Sequence, residues 1–379
     1  MNDISDPVQA ATAPDPYPYY TALRAAGPLY YDERLKLWVA AGSAAVCAVL
    51  QHPALFVRPA AEPVPRAIAD TAAGAVFGGL ARMNDGAAHQ AARRALQGRL
   101  AEIDTLRLTQ CTREHAARCR PANAPALDAW VVQVPLLAMA ESLGVPQPVR
   151  QEVVALVQDF VACLSPLSSP QRLALAAEAA QALVERFGAG IGSWAGQVPG
   201  GLPAGVWVAN LVGLLSQTCD ATAGLLGNAV VALAREPGAW AAVSAEPALL
   251  RDVVDEVARH DPAIQNTRRY AHAQGAEILG RHIEPGQAVL VLLAAANRDA
   301  AVNPQPDAFQ LGRIGRRHHG FGAGVHQCPG QALAAAIAES ALCALTQADI
   351  DAARGFLRRP VYRASVNARV PQFHPQETP

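Results

Sequence analysis

The residue best placed for chemistry is a cysteine. Cys328 lies in Phe321-Gly322-Ala323-Gly324-Val325-His326-Gln327-Cys328-Pro329-Gly330, where three glycines and a proline forbid a regular helix or strand. The Ala-rich run from Gln331 to Leu345 follows with helical character. A thiol on a tight loop at a helix start meets unpaired N–H groups and the positive end of the helix dipole, and both favour the thiolate. Cys328 is therefore a candidate ligand or nucleophile. A second cluster, Ser216, Gln217, Thr218, Cys219, Asp220 and Thr222, interrupts an otherwise apolar helical pattern. Buried polar groups cost stability unless they are satisfied or used, so this cluster reads either as a water-filled kink or as a functional site.

These groups need elements to hold them. The apolar pattern runs from about Leu202 to Glu236, roughly 50 Å of helix at 1.5 Å per residue, and a helix apolar on nearly all sides is expected to be buried. Asn84-Asp85-Gly86 reads as the cap of a helix from about Ala87 to Leu100, with His89 and Arg93 four residues apart on one face. On spacing alone that face is a solvated one. A helix from Ala248 to His260 carries Glu256 and Arg259 at i,i+3 and stops at Asp261-Pro262; such a pair alone is usually a surface ion pair. Further helices are expected at Tyr17 to Ala26, Ser43 to Leu50, 104–120, 127–143 and 148–163. Strands are expected at Tyr30-Tyr31, Leu37–Val39, Arg269–Ala271, Glu277–Leu279 and Ala288–Leu293. Residues 57–82 are rich in Pro, Gly and Ala without periodicity and read as a long loop shaping a pocket. Asn303 to Gly315 is likewise without pattern. Four basic residues, Arg316, Arg317, His318 and His319, stand just before the cysteine loop, as solvated charges or as a docking surface.

Composition narrows the class. The 379 residues can bury a sizeable core, and 51% are hydrophobic against 17% charged, which suits a helix-rich globular chain. Neither a repeat nor a linker is visible, so 1–379 reads as one domain, mainly α with a small β component. The net charge of -1, a single lysine at Lys36 and scattered arginines argue against a nucleic-acid partner. The start, Met1 to Asp15, has no charged-then-apolar signal, and no apolar run reaches spanning length; the expectation is a cytoplasmic protein without a membrane anchor. Seven scattered cysteines without a C-x-x-C disfavour a disulfide framework or a zinc ribbon.

The spacing F-x-x-G-x-x-x-C-x-G over Phe321, Gly324, Cys328 and Gly330, with His326 inside it, closely resembles the haem-ligand loop of the cytochrome P450 family. Other motifs follow in the family's order. Glu256-Val257-Ala258-Arg259 resembles its E-x-x-R, Ala296-Asn297-Arg298-Asp299 its A-N-R-D, Pro304 to Arg313 its P-D-x-F meander, and His89 to Arg93 its H-x-x-x-R. Asp220 stands where the family keeps an acid. The resemblance covers about 15 to 345. It implies a single triangular helical domain with a long central helix over haem b (iron protoporphyrin IX), with Cys328 as the axial ligand to the metal. It assigns the haem propionates to His89, Arg93, Arg269 and His326, and places Phe321, Gly322, Pro329 and Gly330 around the thiolate. A thiolate ligand donates electron density that favours O–O cleavage. Glu256 and Arg259 become a buried pair; the arginine often found at the position of Ala308 is missing, which makes Arg313 the candidate third partner.

Two departures stand out. The family's long helix usually reads A-G-x-(D/E)-T, whereas this chain reads Gln217-Thr218-Cys219-Asp220-Ala221. The alcohol is gone, and Thr222 is about 100° further round the helix. Three accounts of proton delivery stay open: the substrate's own hydroxyl or amide, a relay rebuilt from Gln217 or Thr218, or chemistry that needs little controlled protonation. The second departure is Pro329, which has no N–H to offer the Cys328 sulfur and also suits a helix start.

The expected function is a haem-thiolate monooxygenase that inserts one oxygen atom from O2 into a small-molecule substrate of biosynthetic type. Electrons would come from a ferredoxin or flavodoxin donor. The candidate catalytic residues are Gln217, Thr218, Asp220, Ala221 and Thr222. Substrate contacts are expected from 57–82, from the helices near 150–200, and from Ile264, Asn266 and Thr267. Alternatives are an atypical haem-thiolate outcome (desaturation, aryl coupling or peroxygenase chemistry), a haem sensor, and a cysteine hydrolase using Cys328 with His326, which would lack a third orienting group.

Overall fold

Helices make up most of the computed structural model, which describes residues 4–374, and the strands are few and short. The axis of the fold is the apolar pattern at 202–236, which forms Ala204–Gln217, a π turn Thr218–Thr222 and Ala223–Arg235 in continuous succession. The helix ends where Pro237 follows Glu236, since proline cannot continue the backbone ladder. Ser216 and Thr218 turn their hydroxyls back onto the carbonyls of Gly213 and Leu214, at 3.1 and 2.8 Å. This competition with the ladder accompanies the local switch to the wider turn.

Around this axis pack Ala124–Ser142, Gln147–Phe160, Pro170–Gly190, Leu250–His260 and Gln331–Leu342. The helix that follows Cys328 thus packs against the π turn itself. Glycines let the C-terminal segment close over the axis: a Cβ at Gly224 would lie 2.8 Å from the Arg369 carbonyl, and one at Gly227 2.8 Å from Pro371.

The sheet component is a five-stranded sheet in the order β1-β2-β7-β4-β3, with β1 at Leu29–Asp32, β2 at Leu37–Ala40, β3 at Leu55–Phe56, β4 at Thr267–Ala271 and β7 at Ala288–Val291. The pair β5 (Ala276–Ile278) and β6 (Arg281–Ile283) stands apart. Arg269 sits opposite Val289 in the antiparallel β4–β7 register, so the sheet fixes one of the predicted propionate residues.

Several elements differ from the sequence reading. Residues 57–82 are not loop throughout: Ala72–Gly79 is a helix capped by Thr71, whose Oγ1 accepts the Gly74 N–H at 3.2 Å. The strand expected to reach Leu293 ends at Val291, and Leu293–Asn297 is a short helix. Asp85 occupies the N-cap position of Gly86–Ala101 without capping it, because its carboxylate is committed to the Val57 N–H and to His326. Helix Gln347–Arg358, not anticipated, carries a complete capping box from Thr346 and Asp349.

Candidate functional site

The cysteine loop is held by backbone geometry. Gly322 and Gly324 have φ of 73° and 69°, a region that disfavours side chains, and the Cys328 N–H donates to the Phe321 carbonyl at 2.9 Å. This brings Cys328 back beside the start of Gln331–Leu342. The Gly330 N–H is directed to the sulfur and, with Arg93, favours the thiolate, but burial outweighs both and pushes the Cys328 thiol up. Pro329, exposed on the loop, contributes no donor.

The cations expected at the propionates gather around this loop. Arg93 Nη1 donates to the Gln327 carbonyl at 2.8 Å. His326 Nε2 meets Asp85 Oδ1 at 2.9 Å, leaving a buried Nδ1 without a partner, and the two imidazoles of His89 and His326 are 4.0 Å apart. His89 is fully engaged, with Nδ1 on the Ala81 carbonyl and Nε2 on the Val325 carbonyl. Arg269 is buried with a single hydrogen bond, to the Arg268 carbonyl, and burial lowers its pKa. A soft sulfur ligand, a buried guanidinium with spare donors and an unpartnered imidazole nitrogen fit the donor set that haem with its two carboxylates would require.

The central helix supplies the facing wall. From Trp207 to Val231 every residue is buried except Gln217, Asp220 and Ala221. Spaced at i, i+3 and i+4, these three form one strip, and accessible surface in the middle of a buried helix marks an opening in the packing beside it. Gln217 Nε2 is tied to the Gly213 carbonyl at 3.0 Å. Arg363 Nη1 donates to Asp220 Oδ1 at 2.9 Å. Burial nevertheless dominates at Asp220 and pushes its carboxyl up, against Arg363 and Arg82. Thr218 and Thr222 are buried off the strip, and the Thr218 hydroxyl is spent on Leu214.

Of the expected substrate residues, Ile264 and Thr267 are half-buried, while Asn266 is buried and donates to the Val366 carbonyl at 2.9 Å. Ile264 bridges Ala368, so this segment pairs with the C-terminal one that also delivers Arg363. Sequence reasoning missed Arg363 and Arg82. Neither carries a motif; the only cue was a charge within a stretch otherwise dense in Pro and Ala or apolar residues.

Behind the loop, Glu256 and Arg259 are both fully buried and bonded at 2.6 Å. Arg313 joins Glu256 at 3.0 Å, as the sequence suggested, and Arg316 joins at 2.9 Å while also holding Asp252. This corrects the reading of four solvated basic residues. Arg316 is structural, burial pushes His318 down to about 4, and burial also lowers His319, which sits 3.2 Å from the Ser43 hydroxyl. Arg317 alone of the four is exposed, at the edge of an open groove of about 490 Å³ also lined by Ser43, Phe321, Gly322 and Gln327.

No single helix among the described residues is long and apolar enough to cross a membrane. The family model described as Cytochrome P450 matches residues 242–348. The 20-oxo-5-O-mycaminosyltylactone 23-monooxygenase of Streptomyces fradiae is 41% identical over 148 residues, 39% of this chain and 35% of that protein, so the match spans about a third of that relative's length. A cytochrome P450 of Rhodopseudomonas palustris is 28% identical over 90% of this chain and 86% of its own. Among solved structures, P450BioI in complex with hexadec-9Z-enoic acid ligated acyl carrier protein is similar at a TM-score of 0.80 and 22% identity, covering 94% of this chain and 96% of that one.

Proposed function

We propose that the chain is a cytochrome P450 of the bacterial type, a reading supported by the family model over residues 242–348, the similar relatives and the shared fold, and that it is a monooxygenase that inserts one oxygen atom from O2 into a small organic substrate, a biosynthetic intermediate, with electrons from a ferredoxin or flavodoxin. Haem b, the family's cofactor, supplies the redox-active iron when bound. Cys328 would ligate that iron, and Arg93, Arg269 and His326 would take the carboxylates. The observation that carries the reading is that the accessible strip Gln217-Asp220-Ala221 lies on and immediately before the turn against which the Cys328 helix packs. Asp220, held in place by Arg363, is the one acid on that strip and passes protons from water at its accessible carboxylate toward the cavity. Gln217 orients the water or substrate group that receives them. Ile264 and Thr267 contribute to the substrate wall. The electron donor docks over the groove beside Arg317, where positive charge meets an acidic surface.

A second reading, desaturation, aryl coupling or peroxygenase chemistry, is favoured by one observation: with Ala221 on the strip and Thr218 and Thr222 buried, the central helix presents no hydroxyl on its accessible strip. Purified, haem-loaded protein separates the cases. A Soret band strongly red-shifted on reduction under CO is expected from a thiolate ligand, and its loss in Cys328→Ser with the haem retained completes the test; an unshifted band in the wild type overturns the assignment. Product formed in proportion to NAD(P)H consumed supports oxygen insertion, whereas turnover driven by hydrogen peroxide alone supports the second reading.

A further inference from the structure

Arg82 has no partner. It lies in the turn Ala81–Met83, whose backbone is fixed from several sides. Asn210 of the central helix accepts the Ala81 N–H at 2.8 Å and donates to the Gly79 carbonyl at 2.9 Å. The Asn84 side chain donates to the carbonyls of Gly78 and Leu80, both at 2.8 Å. A turn pinned this tightly presents its side chain in a fixed direction. The guanidinium nevertheless makes no hydrogen bond or ion pair among the described residues, and its Nε is buried without an acceptor. It is surrounded by protein yet keeps accessible surface, as Gln217, Asp220 and Ala221 do, so it too borders an opening in the packing.

Its electrostatic neighbours identify that opening. They are Asp220 on the strip and Cys163 at the end of the segment that follows Gln147–Phe160. The charge that acts on Arg269, a propionate candidate, is Asp85 and not Asp220, so Arg269 belongs to a different part of the site. Asp220 cannot neutralise Arg82, because its carboxylate is already bonded to Arg363. The wall thus holds two guanidinium groups and one carboxylate, leaving one positive charge unanswered. Two other enclosed arginines are answered: Arg259 bonds Glu256 and three carbonyls, and Arg369 is paired with Asp261. A desolvated charge without a partner is costly to maintain, and a guanidinium is shaped for two-point binding of an oxyanion.

We propose that Arg82 is a specificity residue that takes an anionic group of the substrate, a carboxylate or a phosphate monoester, and so lays the rest of the molecule along Gln217, Asp220 and Ala221. This rests on the monooxygenase reading and adds to it a substrate class. Arg363 stays with Asp220, so one anion is bound, not two.

Haem-loaded protein would be titrated with 4-butylbenzoate, 4-butylphenyl phosphate and the neutral 4-butylbenzamide, and with dodecanoate against dodecanamide, reading the spin-state change of the Soret band. At least one acid is expected to bind roughly 10- to 100-fold more tightly than its amide, the range for a charged two-point hydrogen bond. The benzoate and phosphate arms decide which oxyanion is preferred. Arg82→Gln is expected to abolish that preference while leaving amide binding and haem content unchanged, and Arg82→Lys to keep part of it. Absence of any acid preference across the panel overturns the proposal, as does equal loss of acid and amide in Arg82→Gln. Both results are legible only where the reduced CO spectrum is that of a thiolate; a wild-type protein without that spectrum overturns the monooxygenase reading, and this proposal with it.

Discussion

Two charged clusters flank the site and are built in opposite ways. Behind the cysteine loop, Glu256 is met by Arg259, Arg313 and Arg316, and the Arg259 and Arg313 guanidinium groups go on to the carbonyls of Pro306, Ala308 and Pro304. Every charge there has an answer inside the chain. On the cavity wall, Asp220 is shared between one bonded arginine and one unbonded arginine, and Gln217 stands accessible beside them. The first arrangement is complete without anything else and holds a loop in place. The second is finished only by what enters the cavity.

The largest effect should come from breaking the complete cluster. Glu256→Ala leaves three guanidinium groups around a fully buried position, and removing one partner of such a pair typically costs about 3–5 kcal/mol. Unfolding by urea followed by both far-UV circular dichroism and the Soret band should show the two signals falling together at a markedly lower midpoint. A variant as stable as the parent would mean that the arginines are satisfied by backbone carbonyls alone.

The matching change on the cavity wall should spare stability and strike turnover. Asp220→Asn keeps the shape and can still accept from Arg363, but it holds no transferable proton; losing a positioned acid commonly costs about 10²-fold or more in rate. The expected signature is a fall in product rate with an enlarged solvent deuterium isotope effect and an unchanged urea midpoint. If stability falls and rate does not, Asp220 belongs with Glu256 as framework and the contrast between the clusters fails.

The contrast also explains what could be read in the chain. Cys328, Glu256, Arg259 and His326 stand in short, fixed spacings on a loop or a helix turn that a family resemblance could match, although spacing alone made Glu256 and Arg259 a surface ion pair, and the long apolar run disclosed the central helix. Arg363 reaches Asp220 from 143 residues away, and Arg82 acquires its meaning only from what fails to pair with it. Neither is a local property. Thr218 was misleading for a physical reason: at the π turn its hydroxyl folds back on Leu214, and the strip facing the cavity becomes Gln217, Asp220 and Ala221. The helices Ala72–Gly79 and Gln347–Arg358 did carry signals, the Thr71 cap and the Thr346–Asp349 box, which the abundance of Ala and Gly around them obscured.

A milder test uses pH to loosen the complete cluster at its edge. His260 closes Leu250–His260, accepting at Nδ1 from Arg298 at 3.1 Å and donating from Nε2 to the Asp307 carbonyl at 3.0 Å, so it is neutral by construction. Burial first, and then Arg298, push it down to about 3, while Asp261 acts in the other direction. An unfolded histidine titrates near 6.5, so the unfolded chain takes up this proton before the folded one does. The stability tied to neutral His260 is therefore fully present above about pH 6.5 and is lost as pH falls from there toward 3, at a limiting slope of about 1.4 kcal/mol per pH unit. His318, pushed down to about 4 by burial, adds a loss of the same sign. Urea midpoints measured between pH 7 and 4.5 should fall steadily, and His260→Gln, which removes the titration while keeping a donor and an acceptor, should flatten that fall without abolishing it. A midpoint unmoved over this range would mean that His260 can charge beside Arg298 without penalty, and the cluster would then be less completely matched than its distances imply.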